Sequence, residues 1–150
     1  MAHRIPPPVI GVMTAVLMWC LARAMTIFEF QFAVQSLIAG AAASVGLCID
    51  AIAVFAFFRA RTTINPMRPE RASELVTSGV FRLSRNPMYL GMLLVLTGWA
   101  LWLGQALNAV LLVLFVWVIT EFQIKPEERA LTARFGDAFT RYCQRVRRWI

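Results

Sequence analysis

Residues 77–91 read TSGVFRLSRNPMYLG, a run that places polar, donor-rich side chains directly before a long apolar stretch. The apolar stretch continues to about residue 122 and is followed by a second charged junction, PEER at 126–129. It is too long for one ordinary membrane span, and Gly104-Gln105 and Asn108 interrupt it near the middle. The pattern therefore predicts a hydrophobic helical hairpin with a charged cluster at each end and a site at the membrane face.

The composition predicts an integral membrane protein of one domain, residues 1–150. Of the 150 residues, 59% are hydrophobic, more than a soluble domain of this size could bury. The net charge of +7 does not indicate a nucleic-acid partner, because the basic residues concentrate in 59–85 and 125–148 without interleaved exposed aromatic residues. Under the positive-inside rule these two segments are expected to be cytoplasmic.

Metal chemistry is not predicted. The three cysteines are scattered, and the single histidine, His3, has no neighbours at a metal-ligand spacing. Small buried hydrophobic positions are the expected role of the cysteines in the apolar runs.

The predicted architecture is all-α, with about four transmembrane helices and both termini on the cytoplasmic side of the inner or cytoplasmic membrane. A polar loop follows the second helix, and the C-terminal hairpin turns near Gly104. The cytoplasmic tail after the hairpin is predicted to form an interfacial helix. The expected spans are 9–28, 32–58, 88–103 and 106–122, with the loop at 59–87 and the tail at 123–150.

The second span carries two features that bear on packing and function. Gly40 and Ser44 stand four residues apart, a spacing that favours close helix contact. Asp50 lies deep in the same apolar run, where a carboxylate is expensive. Three roles for Asp50 stay open: it could help bind substrate or cofactor, pair with Arg23, or cap a kink.

The tail from Glu127 has the periodicity of an amphipathic helix. Apolar residues recur three or four apart with arginines between them, and a basic-aromatic end, Arg147-Arg148-Trp149-Ile150, follows. An interfacial helix is the expected structure, and the same helix could close over a site formed by the two charged clusters. The apolar residues are Leu131, Phe135, Phe139, Tyr142 and Val146.

Two segments together resemble the isoprenylcysteine carboxyl methyltransferase family, and the phospholipid N-methyltransferases share much of the pattern. The first is SGVF at 78–81 with RNPMYLG at 85–91, and the second is Glu127-Glu128 with Phe135-Gly136, Tyr142 and Val146. The resemblance covers residues 62 to 148. It implies an integral-membrane methyltransferase that uses S-adenosylmethionine and acts on a lipid-like or hydrophobic acceptor, above all the carboxylate of a prenylcysteine-like compound.

The resemblance also implies a cofactor pocket made by the loop before the hairpin, the cytoplasmic ends of the hairpin and the C-terminal helix. Arg85, Asn86 and Tyr89 would position the reactants. The residues implied to contact the cofactor are Glu74, Leu75, Val76, Phe81, Arg85, Asn86, Pro87, Tyr89, Glu127 and Glu128.

The sequence departs from the family pattern at three positions. Phe81 stands where the family usually has tyrosine. Asn86 replaces the motif's histidine, which keeps a donor and an acceptor but removes titration near neutrality. Gln123, with Lys125 nearby, stands where eukaryotic members carry an arginine implicated in binding the prenyl substrate's carboxylate. Gln123 and Lys125 are therefore the candidate substrate-binding residues.

The residue types agree with this cofactor chemistry. Glu127 or Glu128 could accept hydrogen bonds from ribose hydroxyls or the cofactor ammonium, and Arg85 could pair with its carboxylate. Aromatic Phe81 or Tyr89 could face the adenine or the sulfonium. The same residues have simpler explanations as a headgroup anchor, an interfacial aromatic and a charge pair at a helix N-terminus.

Several other functions stay open. A phospholipid or amine N-methyltransferase is the nearest alternative, and a sterol reductase with a nicotinamide cofactor is a second enzymatic one. A small four-helix transporter or membrane scaffold is the alternative from another class, with Asp50 as its central charge. The sequence reveals neither the methyl acceptor nor the oligomeric state. The expected partners are a lipid-like substrate and membrane lipids.

Overall fold

The computed structural model describes residues 5–60 and 74–150. Within them, a 3-10 turn, Gly79–Arg82, precedes the third helix, and a π-helical turn, Thr120–Ile124, joins the fourth to the fifth. The described residues form no β-strand beyond one isolated bridge, so the predicted all-α class is confirmed. Residues 61–73, which belong to the predicted loop 59–87, lie outside the described part. The helices are α1 (Pro7–Ala24), α2 (Gln35–Arg59), α3 (Pro87–Leu103), α4 (Asn108–Ile119), α5 (Lys125–Phe135) and α6 (Asp137–Arg145).

Three helical runs are long and apolar enough to cross a membrane: α1, α2 and the continuous run Asn108–Phe135. The apolar helix α3 is shorter, at 17 residues. Large apolar side chains on these helices point outward, and Leu37 and Val113 are each 71% exposed. Such surfaces are stable in lipid and costly in water. The chain is therefore an integral membrane protein. Its first three helices start and end within a few residues of the predicted spans, whereas the fourth helical run continues past the predicted end at 122 to Phe135.

Helix α3 lies in the middle of the bundle, with α2 against one face and α1 and α4 against the other. The face of α3 that packs against α1 and α4 contributes Tyr89 and Leu96 to the main core. Met18 of α1 and Phe115 and Ile119 of α4 complete this core. The main core thus runs along α3 from Tyr89, near the polar motif, to Ala100.

Helices α2 and α3 touch backbone to backbone. A β-carbon on Gly91 would collide with Asp50 Oδ1 and lie 2.7 Å from the carbonyl oxygen of Gly46. A β-carbon on Gly98 would lie 2.5 Å from the carbonyl oxygen of Ala39. Close approach of this kind is possible only where side chains are absent or small.

The predicted close contact through Gly40 and Ser44 is not made within the chain. Both residues are exposed, and a β-carbon on Gly40 would meet nothing within 4 Å. The helix is turned so that Ala39 and Gly46 face α3 instead. The glycines of α3 determine this rotation, because the two smallest surfaces pack against each other.

The predicted pairing of Asp50 with Arg23 is also wrong. Asp50 Oδ1 is buried against Gly91 without a hydrogen-bond partner. The Arg23 guanidinium lies over the ring of Trp19, 5.7 Å from its centroid. The other proposed roles of Asp50 stay predictions.

The two short connections meet at one end of the bundle. The Phe30 amide donates to the Gly104 carbonyl at 2.8 Å, and the Gln105 side-chain amide donates to the carbonyls of Met25 and Ile27. Gly104 ends α3 with a φ of 66°, a left-handed conformation suited to glycine, which confirms the predicted turn. The 3-10 turn and the tail lie at the opposite end.

The predicted tail helix is observed as two helices, α5 and α6, separated by Gly136. The apolar face of α6, Phe139 and Tyr142, is buried together with Val146. Leu75 and Leu131 pack against it. The apolar face of α6 is therefore covered by the protein's own side chains, at the end of the bundle that carries the polar motifs.

Candidate active site

The two arms of the hairpin are joined at their polar ends by a hydrogen bond. Pro87 starts α3, where its missing N–H and fixed φ are tolerated, and Tyr89 follows on the buried side. Glu127 lies in the first turn of α5, just beyond the π-helical turn. The Tyr89 hydroxyl donates to Glu127 Oε1 at 2.6 Å, a short hydrogen bond to a charged acceptor.

Glu128 is held between two arginines. Arg85 Nη2 lies 3.1 Å from Glu128 Oε1, and Arg148 donates from Nε and Nη2 to the two carboxylate oxygens at 3.1 and 2.7 Å. The side chains of Arg85 and Glu128 are only 13% and 16% exposed, and that of Arg148 is 35% exposed. The hydrogen bond to Glu128 raises the pKa of Arg148. The three side chains therefore form an ion-paired group that is partly shielded from water.

The backbone after α6 crosses the polar motif before α3. The Arg148 carbonyl accepts from Asn86 Nδ2 at 2.9 Å and from Ser84 Oγ at 3.3 Å. The Arg147 carbonyl accepts from the Arg85 amide at 3.0 Å. Trp149 Nε1 donates to Thr120 Oγ1 in the π-helical turn at 3.2 Å. Residues 147–149 are called the C-terminal latch below.

An apolar wall adjoins these charges. The ring of Phe81 packs edge-on against Phe57 of α2, with centroids 5.3 Å apart, and its carbonyl accepts from the Tyr142 hydroxyl at 2.6 Å. Burial raises the pKa of Tyr142, and the positive charge of Arg85 partly offsets that rise. Leu75 packs beside Tyr142. The aromatic surface and the charges therefore share one end of the bundle.

The predicted substrate-binding residues make their polar contacts elsewhere. Gln123 Nε2 donates to the Ile5 carbonyl at 2.6 Å, and Gln123 Oε1 is buried without a hydrogen-bond partner. Lys125 pairs with Glu121 one turn earlier in the chain. Gln123 thus ties the π-helical turn to the beginning of α1. A role for either residue in substrate binding stays a prediction.

The structure brings half of the predicted cofactor-binding residues into one charged cluster. Of the others, Pro87 starts α3, Leu75 and Phe81 belong to the apolar wall, Val76 is half-buried and Glu74 is exposed. Sequence reasoning missed one member, Arg148, which it assigned to the membrane interface. The cluster comprises Arg85, Asn86, Tyr89, Glu127, Glu128 and Arg148.

A ligand with both an ammonium and a carboxylate group is complementary to the charged side chains of this cluster. Two guanidinium groups face one side of the cluster, and Glu127 and Glu128 supply carboxylates. The buried Arg85 Nε lacks a hydrogen-bond partner within the described residues. No group of three or more His, Cys, Asp or Glu side chains in residues 5–60 and 74–150 could hold a metal ion.

Comparisons with known proteins agree with the sequence resemblance. The family model described as phospholipid methyltransferase matches residues 34–138. An uncharacterized protein of Haemophilus influenzae is 49% identical over 63 residues, 42% of this chain and all of that protein. Protein-S-isoprenylcysteine O-methyltransferase B of Arabidopsis thaliana is 33% identical over 88 residues, 59% of this chain and 45% of that protein.

A probable protein-S-isoprenylcysteine O-methyltransferase of Oryza sativa subsp. indica is 32% identical over 102 residues, 68% of this chain and 53% of that protein. The chain thus spans about half the length of the named relatives. No solved structure matches the chain.

Proposed function

This chain belongs to the phospholipid methyltransferase family, and from that membership we propose that it transfers a methyl group from S-adenosylmethionine to a lipid-like or hydrophobic acceptor. The reaction takes place at the cytoplasmic membrane face. The carboxylate of a prenylcysteine-like compound is the first candidate acceptor. The observation that carries this proposal is the charged cluster at the polar end of the hairpin, where Tyr89 meets Glu127 and Arg85 meets Glu128.

The residues of the cluster fit the polar groups of S-adenosylmethionine. Arg85 offers a guanidinium to the carboxylate, and its buried Nε needs an acceptor. Glu127, fixed by the Tyr89 hydroxyl, offers its carboxylate to the ammonium or to ribose hydroxyls. Phe81 and Tyr142 provide the aromatic surface on which a base or a sulfonium is stabilised.

Bound S-adenosylmethionine supplies an electrophilic methyl group on a sulfonium. The chain contributes alignment and exclusion of water, the two effects that accelerate a direct displacement most readily. Asn86 cannot titrate near neutrality, so its role is positioning through its amide, which already donates to Arg148. A carboxylate acceptor needs no base, whereas an amine acceptor must lose a proton first.

The membrane position suits reactants of different solubility. The charged cluster lies at the polar end of the bundle, so a water-soluble cofactor reaches it from the cytoplasm. A lipid-borne acceptor arrives sideways between apolar helices. Desolvation of the acceptor at this boundary favours the nucleophile's attack.

Gln123 favours a second candidate, a phospholipid or amine acceptor. At the position where relatives of the prenylcysteine type are expected to carry an arginine, this chain has an amide that donates to the Ile5 carbonyl. An amide therefore stands at the position where the resemblance implies a cation for an acceptor carboxylate. An amine acceptor needs no such cation.

Calorimetric titration of the detergent-purified protein with S-adenosylhomocysteine tests the proposal, with NADPH as the matched control. We expect saturable binding of S-adenosylhomocysteine alone. Binding of NADPH alone would favour a reductase, and binding of neither by folded protein would favour a transporter or scaffold. Transfer of labelled methyl to a prenylcysteine or to phosphatidylethanolamine then separates the two acceptors.

A further inference from the structure

The C-terminal latch reaches into the charged cluster with both its backbone and a side chain. Its backbone carbonyls accept from Asn86 and Ser84, and the Arg148 guanidinium lies on Glu128 beside Arg85. The matched family model ends at residue 138, and the motif resemblance assigns no role to Arg148. Arg148 lies beside Arg85 and Glu128, two predicted cofactor-binding residues, and this position indicates a role in the site.

Donors outnumber acceptors at this point of the cluster. The two oxygens of Glu128 accept three N–H groups, one from Arg85 and two from Arg148. Each guanidinium carries five N–H donors, and the buried Arg85 Nε has no partner among the described residues. A buried donor left without an acceptor is costly, so the cluster fits a further acceptor-rich, anionic group.

Glu128 also explains how two guanidinium groups can lie side by side. Their like charges repel, and the carboxylate between them offsets that repulsion while fixing both orientations. Each guanidinium presents a planar fork of N–H donors that matches the planar shape of a carboxylate. The latch backbone, bonded to Asn86 and Ser84, keeps Arg148 at this place.

We propose that Arg148, held by the C-terminal latch, binds the carboxylate of the cofactor's amino-acid end together with Arg85. This inference rests on the proposed function and deepens it, since it assigns one chemical group of the cofactor to a residue that the motif resemblance left without a role. Glu128 is then a positioning residue for the two arginines. Glu127 remains the carboxylate that faces the ammonium.

A comparison of ligands with and without the amino-acid end tests the proposal. Calorimetry is done on the full chain in detergent with S-adenosylhomocysteine, its decarboxylated analogue and methylthioadenosine, which lacks the whole amino-acid end. In Arg148→Ala, we expect S-adenosylhomocysteine to bind roughly tenfold to a hundredfold more weakly, the loss typical of a charge-assisted hydrogen bond. The other two ligands should bind as they do to the unaltered protein.

The matched control is Arg145→Ala, which removes the same charge from an exposed position at the end of α6. It should leave the affinities for all three ligands unchanged. Arg148→Lys should restore part of the preference for S-adenosylhomocysteine, because one donor and the charge return. Equal weakening of all three ligands in Arg148→Ala would assign the latch a purely structural role and overturn the proposal.

Two further outcomes are also decisive. Tighter binding of S-adenosylhomocysteine to Arg148→Ala would mean that Arg148 competes with the cofactor for Glu128, which is the opposite of the proposal. If the unaltered, folded protein binds methylthioadenosine and S-adenosylhomocysteine equally well, the carboxylate is not recognised, although the proposed function stands. If it binds neither, the proposed function itself fails, and this inference fails with it.

Discussion

Tyr89 connects the two polar junctions through one atom. Its hydroxyl reaches from the first turns of α3 to Glu127 at 2.6 Å, while the ring belongs to the main core with Leu96 and Phe115. A tyrosine suits this place because its apolar ring is buried and its polar tip finds a partner. Tyr89 therefore fixes the position of the Glu127 carboxylate from the core side of the candidate site.

Replacement of Tyr89 by phenylalanine should weaken S-adenosylhomocysteine binding about tenfold, roughly 1.4 kcal/mol, with little change in the melting temperature. The ring still fills the core, but Glu127 loses the donor that fixes it. Calorimetry in detergent measures the effect. The broader expectation is that Tyr89→Ala and Glu128→Ala each abolish cofactor binding in folded protein.

The control for this change is Thr97→Val, which removes another hydroxyl from α3. The Thr97 hydroxyl donates to the Leu93 carbonyl within the same helix, away from the polar end. Thr97→Val should therefore leave the affinity for S-adenosylhomocysteine unchanged. Normal binding by both Tyr89→Ala and Glu128→Ala would show that the cofactor site lies elsewhere.

At the level of elements, the contact between α2 and α3 is the tightest in the bundle. Gly91 and Gly98 of α3 lie so close to the carbonyl oxygens of Gly46 and Ala39 of α2 that a β-carbon on either glycine would collide with them. Helix association in lipid depends on such packing, because apolar side chains gain little by leaving lipid for another helix. Gly91 also lies two residues after Tyr89, so this contact fixes the beginning of α3.

Replacement of Gly91 by alanine should lower the free energy of unfolding by about 1–3 kcal/mol, because the new β-carbon meets Asp50 and the Gly46 carbonyl. The matched control is Gly40→Ala on the exposed side of α2, where a β-carbon meets nothing within 4 Å. There, higher helix propensity should keep or raise stability by up to about 1 kcal/mol. Unfolding in detergent distinguishes the two, and equal effects would contradict the observed rotation of α2.

Helices α2 and α3 also show which structural features could be predicted from the sequence. The turn at Gly104 was predictable because glycine, a polar neighbour and span length all indicate it. The rotation of α2 was not, since small residues occur on two of its faces and only the glycines of α3 select one. Position 148 was missed for a similar reason, because its contact with Glu128 exists only after the tail has folded back.

Five of the six residues of the charged cluster were predicted from the sequence, and only Arg148 was missed. Arg85, Asn86 and Tyr89 stand close together in the sequence, and the hairpin length brings Glu127 and Glu128 to the same end. Gln123 and Lys125 lie within a few residues of the glutamates, yet the π-helical turn directs Gln123 to Ile5. A local change in helix winding of this kind leaves no clear mark in the residue pattern.

For the whole molecule, the arrangement of connections makes sidedness testable. The connections around Met25 and Gly104 share one end of the bundle, and the charged cluster lies at the other. Basic residues concentrate on the cluster's side, which we expect to be cytoplasmic. A cofactor made in the cytoplasm can reach the cluster only in this orientation.

Cysteine labelling in intact cells checks the orientation, in a background with Cys20, Cys48 and Cys143 replaced by alanine. We expect Thr26→Cys to react with a membrane-impermeant maleimide from outside, and Ala133→Cys only after permeabilisation. Both positions are exposed in the structure. The reverse pattern would put the charged cluster outside the cell and exclude a cytoplasmic cofactor site.

The position of Arg148 in the chain also bears on how the protein is made. Asn86 and the carbonyl group that it binds are 62 residues apart, and Glu128 precedes Arg148 by 20. During translation, α1 to α4 can therefore enter the membrane while the ribosome has yet to add residues 147–149. We expect the latch to dock from the water side onto helices that are already inserted. We therefore expect two separate steps. Membrane insertion depends on the apolar length of the helices, and later docking of the latch depends on a few hydrogen bonds and the Glu128 carboxylate.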